Sequence, residues 1–509
     1  MANFGTWEEH SALQKIGSEA EQGRLKEGLA YACKLLESDP LHIGGLTLGS
    51  YCLRRLGSPV LSYHLALSGV REVPNEDALW LNLGGAAQEL WLLEEAEHAY
   101  LEALRHAKSD QHRAVVWLNL SAMYADNGQF PQAEEYCKKI LQQKSDHKNA
   151  RANLGFCQLA RRDWVEGWKN YTQVVGGDWL PRVQYKGEPQ WNGTPGQTVV
   201  VYADQGLGDC INFASMLPDA IASCKKLILE CEPKLEHLLK RSFPGIKIYP
   251  TRREKGASGV RWDKADRDFD ASIPLSQLGQ FYRLTDEAFP GTPYIKPCPV
   301  RTEMWRKHFD GKEKACIGIA WSGGVARTNA RYRQLELEEL LPLFRSVDAH
   351  WVCLQYKPAG AEIAEFRAKF PDIDLIEYPF ATLTPDYDDT AALVAALDHV
   401  VCMQTTVGHL AASMGIATTV LIPKATAWRY AGEWDSTPWY GSMRLVRQKE
   451  HGKWADEIRS AAVIVAADLP ELSADAGGHA LDRELRCGGG NVRPNGKQAD
   501  SGLPSHASA

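Results

Sequence analysis

Thr198-Val-Val-Val-Tyr-Ala-Asp-Gln-Gly-Leu-Gly-Asp209 is the stretch on which the reading of this chain turns. Its first half is a β-branched run without polar alternation, the pattern of a strand covered on both faces, as in a parallel sheet. A glycine turn follows that lets backbone N–H groups approach a ligand, and near Cys210 an amphipathic helix begins, whose amino terminus favours anions. Strand, turn and helix in that order predict an α/β unit. The turn lacks the terminal Lys-Ser/Thr of a phosphate loop, so ATP hydrolysis is disfavoured. Asp209 is as well placed to cap the helix as to face a substrate.

Downstream the alternation recurs. Residues 315–320, 350–355, 373–376, 399–402 and 418–422 read as strands, and 335–344, 361–370, 390–397 and 454–467 as helices between or after them. Two Rossmann-like lobes are expected, at 198–300 and 301–470. From 471 to 509 Gly, Ala, Ser and Asp dominate, which predicts a disordered tail.

Upstream, Gly187-Glu-Pro-Gln-Trp-Asn-Gly-Thr-Pro-Gly196 has the turn-rich composition of a linker, assigned to 181–197. Ahead of it, Trp80-x-x-Leu83-Gly84 with Ala96, Tyr100 and Ala103 has the spacing of a tetratricopeptide (TPR) unit. Trp117-x-x-Leu120, Tyr124 and Ala133 repeat that frame, and Leu154-Gly155 with Tyr171 continue it. Leu48-Gly49 precedes it, while Gly28, Ala32, Leu35 and Pro40 look like the second helix of a worn first repeat. Residues 1–180 therefore predict about five helical pairs, in which small residues permit close stacking and one large aromatic per unit is a packing wedge. The concave face of such a stack is a candidate surface for a protein partner.

At 509 residues the chain is long enough for about three domains, and 44% apolar with 24% charged residues is the mix of an ordinary globular protein. Lys and Arg total 57 against 64 Asp and Glu, a net charge of −7, so nucleic acid is not an expected partner. The 12 cysteines form no C-x-x-C pair, which argues against a zinc ribbon and for a reducing compartment. The start of the chain lacks the basic and apolar regions of a secretory signal, and no apolar run is long enough for a transmembrane segment. A cytoplasmic protein is expected.

Two further turns carry chemistry. Ile317-Gly-Ile-Ala-Trp321-Ser322-Gly323-Gly324 is a strand end opening into Ser-Gly-Gly, with Arg327, Arg331 and Arg333 behind it. Guanidinium forks pair with phosphate oxygens through two hydrogen bonds at once, so this cluster suits a diphosphate. The segment also approximates a nucleophile elbow, but basic and polar residues follow it where that motif requires an apolar helix. Met403-Gln404-Thr405-Thr406-Val407-Gly408-His409 is again strand, polar turn and helix, at the kind of position where open α/β sheets bind ligands. His409 suits a ligand contact or a hydrogen bond to a neighbouring backbone carbonyl equally well. Asp386-Tyr-Asp388-Asp389 has the form of a metal clamp, yet it immediately precedes a helical run, where acidic residues stabilise the helix start. No metal is predicted.

Taken in order, Gln205-Gly206-Leu207-Gly208-Asp209, Trp321-Ser322-Gly323 with its arginines, Asp389-Thr-Ala-Ala-Leu393 and Thr405-Thr-Val-Gly-His-Leu-Ala411 resemble bacterial TPR proteins that carry a carboxyl-terminal glycosyltransferase domain similar to the ADP-heptose:lipopolysaccharide heptosyltransferases. The resemblance implies an α + α/β architecture, an N-terminal TPR α-solenoid followed by a GT-B pair of Rossmann-like lobes. The acceptor would lie mainly on the first lobe and the nucleotide-sugar donor mainly on the second, with inversion and without metal or cofactor. Leu207-Gly208-Asp209 matches the Met-Gly-Asp whose aspartate is the general base, with Gln205, Gly206 and Gly208 forming the acceptor-side loop. Arg327, Arg331 and Arg333 fall where a basic residue meets the donor diphosphate, and Thr405, Thr406, Gly408 and His409 match the donor loop. Two departures stand out: Gln404 replaces the family's acidic residue, and Thr406 replaces a glycine. The expected function is transfer of a sugar from a nucleotide sugar to a glycan or protein acceptor. The alternative is a TPR scaffold whose transferase lobe no longer turns over.

Overall fold

The computed structural model describes residues 20–172, 189–251, 269–324 and 330–469. Within the first stretch lie nine helices: Ala20–Ser38, Ile43–Arg55, Pro59–Glu72, Asp77–Glu89, Leu93–His106, Asp110–Asp126, Phe130–Gln143, Lys148–Ala160 and Trp164–Tyr171. The last eight form four successive pairs, and the first is the second helix of the worn repeat. Glycine sets how closely some of these pairs stack. A Cβ on Gly84 would sit 2.6 Å from the Tyr100 ring, and one on Gly155 2.5 Å from the backbone nitrogen of Tyr171. Tyr100 and Tyr171 are buried wedges, as expected for aromatics at that place in each unit.

The first lobe is a parallel sheet of β1 (Thr198–Tyr202), β2 (Lys226–Cys231), β3 (Lys247–Pro250) and β4 (Ala271–Pro274), in the order β3-β2-β1-β4. The all-valine centre of β1, Val199 to Val201, is fully buried between its two neighbours. Strand order reverses between β1 and β4, and there Asp204 accepts hydrogen bonds from the Ser276 backbone N–H (3.1 Å) and Oγ (2.6 Å). Burial raises the Asp204 carboxyl pKa, and those hydrogen bonds oppose the rise.

The second lobe has seven strands: β5 (Ala315–Ala320), β6 (Ala349–Cys353), β7 (Leu375–Glu377), β8 (His399–Met403), β9 (Thr418–Ile422), β10 (Ser436–Thr437) and β11 (Tyr440–Arg447). The order is β7-β6-β5-β8-β9-β11-β10, parallel except for the β10–β11 pair. Counted from β5, this is the 3-2-1-4-5-6 order of dinucleotide-binding sheets, extended by one antiparallel edge strand. Such sheets bind ligands where the order reverses, here at the carboxyl ends of β5 and β8. The helices run close to where sequence placed them, at Gly360–Lys369, Tyr387–Val394 and Ala455–Asp468; the expected 335–344 helix is instead a 3-10 turn, Leu337–Leu340, leading into Leu341–Ser346.

Repeats and lobes share one core. Trp164, Trp168 and Tyr171 of the last repeat belong to the same buried cluster as Phe213 and Phe289 of the first lobe and Trp428 and Trp439 of the second. Trp428 makes edge contacts with Trp168 and Tyr171 at centroid distances of 5.5 and 5.7 Å. Gly279 admits Trp168, since a Cβ there would lie 2.3 Å from the indole. The boundary expected at residue 180 thus falls just past a helix that packs as part of the lobes. Most of the expected linker, 181–188, and the expected tail from 471 lie outside the described residues.

Candidate functional site

The carboxyl end of β5 bends at Trp321 and Ser322, and the chain returns alongside itself: the Gly323 N–H donates to the Arg333 carbonyl at 2.9 Å and the Leu335 N–H to the Trp321 carbonyl at 2.9 Å. Arg333 is thereby anchored beside the Ser-Gly turn. Trp321 is buried, its Nε1 donating to Glu362 Oε1 at 2.9 Å, and Gln355, just past β6, donates to Ser322 Oγ at 2.8 Å. The β8 turn packs directly on this one, because a Cβ on Gly323 would be 2.6 Å from the Gln404 carbonyl and 3.0 Å from Thr405 Cβ. Gln404 is buried, donates to Thr426 Oγ1, and its Oε1 has no partner among the described residues. Thr405 opens the helix Thr406–Ser413, in which Gly408 lies against Cys402 of β8.

The first lobe brings its glycine turn to the same place. A Cβ on Gly208 would meet His409 Cδ2 and Thr406 Oγ1 at 3.2 Å each. Asp209 accepts from the Gly206 N–H at 3.2 Å, the capping role, and also pairs with Arg429 across the lobes. Arg429 lies in the turn after β9, its guanidinium carbon 5.3 Å from the ring centroids of both Phe213 and Trp428. Three loops that are far apart in sequence therefore meet: Gly206–Asp209, Trp321–Gly323 and Gln404–His409.

Positive charge dominates this meeting point. Burial lowers the Arg333 pKa and the nearby Arg429 lowers it further, while Asp209 opposes both, and a guanidinium remains charged throughout. For Arg429 burial acts to lower the pKa, but Asp209 and the surrounding tyrosines outweigh it and raise it. One carboxylate pairs with Arg429 and acts electrostatically on Arg333. His409 is neutral, its pKa pushed down to about 3 by burial and by Arg429. Its Nδ1 lies 2.9 Å from Tyr440 Oη and its Nε2 2.9 Å from Tyr430 Oη, so it contacts side chains and not the backbone carbonyl considered from sequence.

Some expected site residues are engaged elsewhere. Arg331 donates to Glu89 Oε2 at 2.8 Å, on the helical repeats, and its guanidinium carbon lies 4.6 Å from the Tyr332 ring centroid. Sequence spacing groups it with Arg333, but a carboxylate 242 positions away holds it. Gln205 donates to Tyr171 Oη at 2.7 Å. Arg327 lies outside the described residues. Asp386 caps the helix Tyr387–Val394, and its acidic neighbours are engaged by arginine: Arg241 grips Asp388 through two hydrogen bonds of 2.6 and 2.7 Å, and Arg301 donates to Asp389 at 2.7 Å. Among the described residues no cluster of three or more His, Cys, Asp or Glu is arranged to hold a metal ion. Arg429 is the residue the sequence reading missed; its one signal is its place just after the apolar strand β9.

No family model matches the chain. Protein FlbA of Caulobacter vibrioides is 29% identical over 309 residues, 57% of this chain and 50% of that protein, so the chain spans about half the length of the curated relative it matches. Among solved structures, Escherichia coli ADP-heptose LPS heptosyltransferase II is similar over 53% of this chain and 100% of its own, at 11% identity and a TM-score of 0.37. TTC0263, a thermophilic TPR protein of Thermus thermophilus, covers 33% of this chain and 89% of its own, at 20% identity and a TM-score of 0.29.

Proposed function

We propose that this protein transfers a sugar from a nucleoside diphosphate donor to an acceptor hydroxyl by inverting displacement. The observation that carries the reading is the convergence of the three loops on a point where Asp209 pairs with Arg429 within electrostatic reach of Arg333. The Asp209 carboxylate takes the acceptor O–H proton, the oxygen bonds to the anomeric carbon, and the bond from that carbon to the diphosphate oxygen breaks with its electron pair on the leaving group. Arg333, Arg429, Ser322, Thr405, Thr406 and the amino terminus of the Thr406–Ser413 helix stabilise the charge that grows there, each such donor being worth about 3 kcal/mol. Positive charge for the leaving group comes from these groups, so the reading calls on no metal ion. His409, held between Tyr430 and Tyr440, fixes the helix against the Gly208 turn.

A second reading, a TPR scaffold on a transferase lobe that no longer turns over, draws on Gln404, which is tied to Thr426 and carries no charge where the resemblance implies an acid. Incubation with a panel of nucleotide sugars, followed for released nucleoside diphosphate and for sugar added to glycan or protein acceptors, separates the two. Turnover that falls at least about 100-fold in Asp209→Asn supports transfer. Nucleotide binding without turnover favours the scaffold, and no binding of any nucleotide removes both the donor site and the proposed reaction.

A further inference from the structure

Arg429 has two competing claims on it. Its side chain is 11% exposed and that of Asp209 25% exposed, so the ion pair between them is largely withdrawn from water. Phe213 and Trp428 flank the guanidinium, its Nη2 is taken by Asp209, and its Nε has no partner among the described residues. Arg333 stands close enough to feel the charges of both Arg429 and Asp209. Asp209 Oδ1 is taken by Arg429 and Oδ2 by the Gly206 N–H, so an acceptor hydroxyl has to displace one of these partners before it can bond to the carboxylate. A diphosphate at the β5–β8 reversal offers more negative charge and a bidentate match to the guanidinium fork.

We propose that Arg429 is an exchange latch: the donor diphosphate and Asp209 compete for its guanidinium, and donor binding draws the guanidinium off and releases Asp209 to serve as base. The inference rests on the transferase reading above and adds an order of events, donor before acceptor. Water and acceptor meet an occupied carboxylate until the diphosphate is in place.

The test measures affinity for ADP, GDP, UDP and CDP by calorimetry in the full chain, in Asp209→Asn and in Arg429→Lys. Asparagine keeps an oxygen for the Gly206 N–H, so the helix cap survives, but it no longer competes for Arg429. Asp209→Asn should therefore bind the preferred nucleoside diphosphate about fivefold more tightly than the native chain, the equivalent of one partly exposed ion pair worth about 1 kcal/mol. Arg429→Lys, which loses the fork, should bind it more weakly, and Asp209→Asn on that background should recover less than the fivefold. Equal affinity in Asp209→Asn and the native chain overturns the latch while leaving the donor site intact. No measurable affinity of the native chain for any of the four overturns the transferase reading itself.

Discussion

Gly323→Ala tests the contact on which the site is built. The added Cβ would stand 2.6 Å from the Gln404 carbonyl oxygen and 3.0 Å from Thr405 Cβ, and both are atoms of a turn that cannot swing aside as a flexible side chain does. Ordinary contact begins at 3.4 Å, so the β5 and β8 turns must part by about 0.8 Å (3.4 − 2.6). Overpacking of this kind costs about 1–3 kcal/mol. It also moves Ser322 and Thr405 beyond the roughly 0.5 Å tolerance of a preorganised site, and a misplacement near 1 Å can cost about 100-fold in rate. Three measurements are needed: thermal melting, nucleoside diphosphate affinity by calorimetry, and turnover with the best donor of the panel. Gly23→Ala is the control, since a Cβ there meets nothing within 4 Å and lies in a helix, where alanine is favoured by about 0.5–1 kcal/mol. If Gly323→Ala melts and binds as the native chain does, the two turns do not touch and the convergence argument fails.

Arg333→Ala and Arg331→Ala should part company. The first should weaken nucleoside diphosphate binding about 10-fold or more, the loss of one charge-assisted contact, whereas the second should leave binding unchanged and lower the melting temperature through its lost bond to Glu89. Equal loss of affinity in both would return Arg331 to the donor site. Acid stability provides another check. His409 and His399 have folded pKa values pushed down to about 3 and about 4, against 6.5 when exposed. The unfolded chain thus binds protons that the folded chain refuses, so stability is full above pH 6.5 and falls as the pH drops below it. Between pH 6 and 5 each histidine should remove about 1 kcal/mol, and in urea titrations His409→Gln should show a shallower loss by that amount. An unchanged slope would mean that His409 is not held neutral.

Most of the strands that sequence revealed are covered on both faces, although the half-exposed Leu375–Glu377 was also found. Thr198–Tyr202, Ala315–Ala320 and Thr418–Ile422 consist mainly of β-branched and small apolar residues, because nearly every position is buried. Of those it missed, β2 has an apolar run, Leu227-Ile-Leu229, as strong as any it found, and the others had weaker patterns. β3 and β4 are four residues long and end in proline, and β11, Tyr440–Arg447, mixes Gly, Ser and Arg because part of it is exposed. In the site, the motif turns were legible because glycine and hydroxyl residues at strand ends have few other uses. Partners were not. Nothing in the spacing of Arg331 and Arg333 distinguishes an arginine that reaches back to Glu89 from one pinned beside Gly323, and Arg429 lies in a turn of no recognisable form. The acidic run at Asp386–Asp389 was legible as a helix start, but its arginine partners, on the helices Glu236–Ser242 and Pro299–Phe309, were not.

Trp428 adjoins Arg429 in the chain and touches Trp168 and Tyr171 of the final repeat helix. The repeats are therefore no detachable handle. A chain trimmed to start at residue 189 would bare Trp428 where Trp168 and Tyr171 now cover it, Phe289 where Trp164 does, and the backbone of Gly279 under Trp168. Conversely, any strain that reaches the last repeat helix falls on the same indole that lies beside the Arg429 guanidinium, so in the transferase reading the solenoid has a mechanical line to the proposed site.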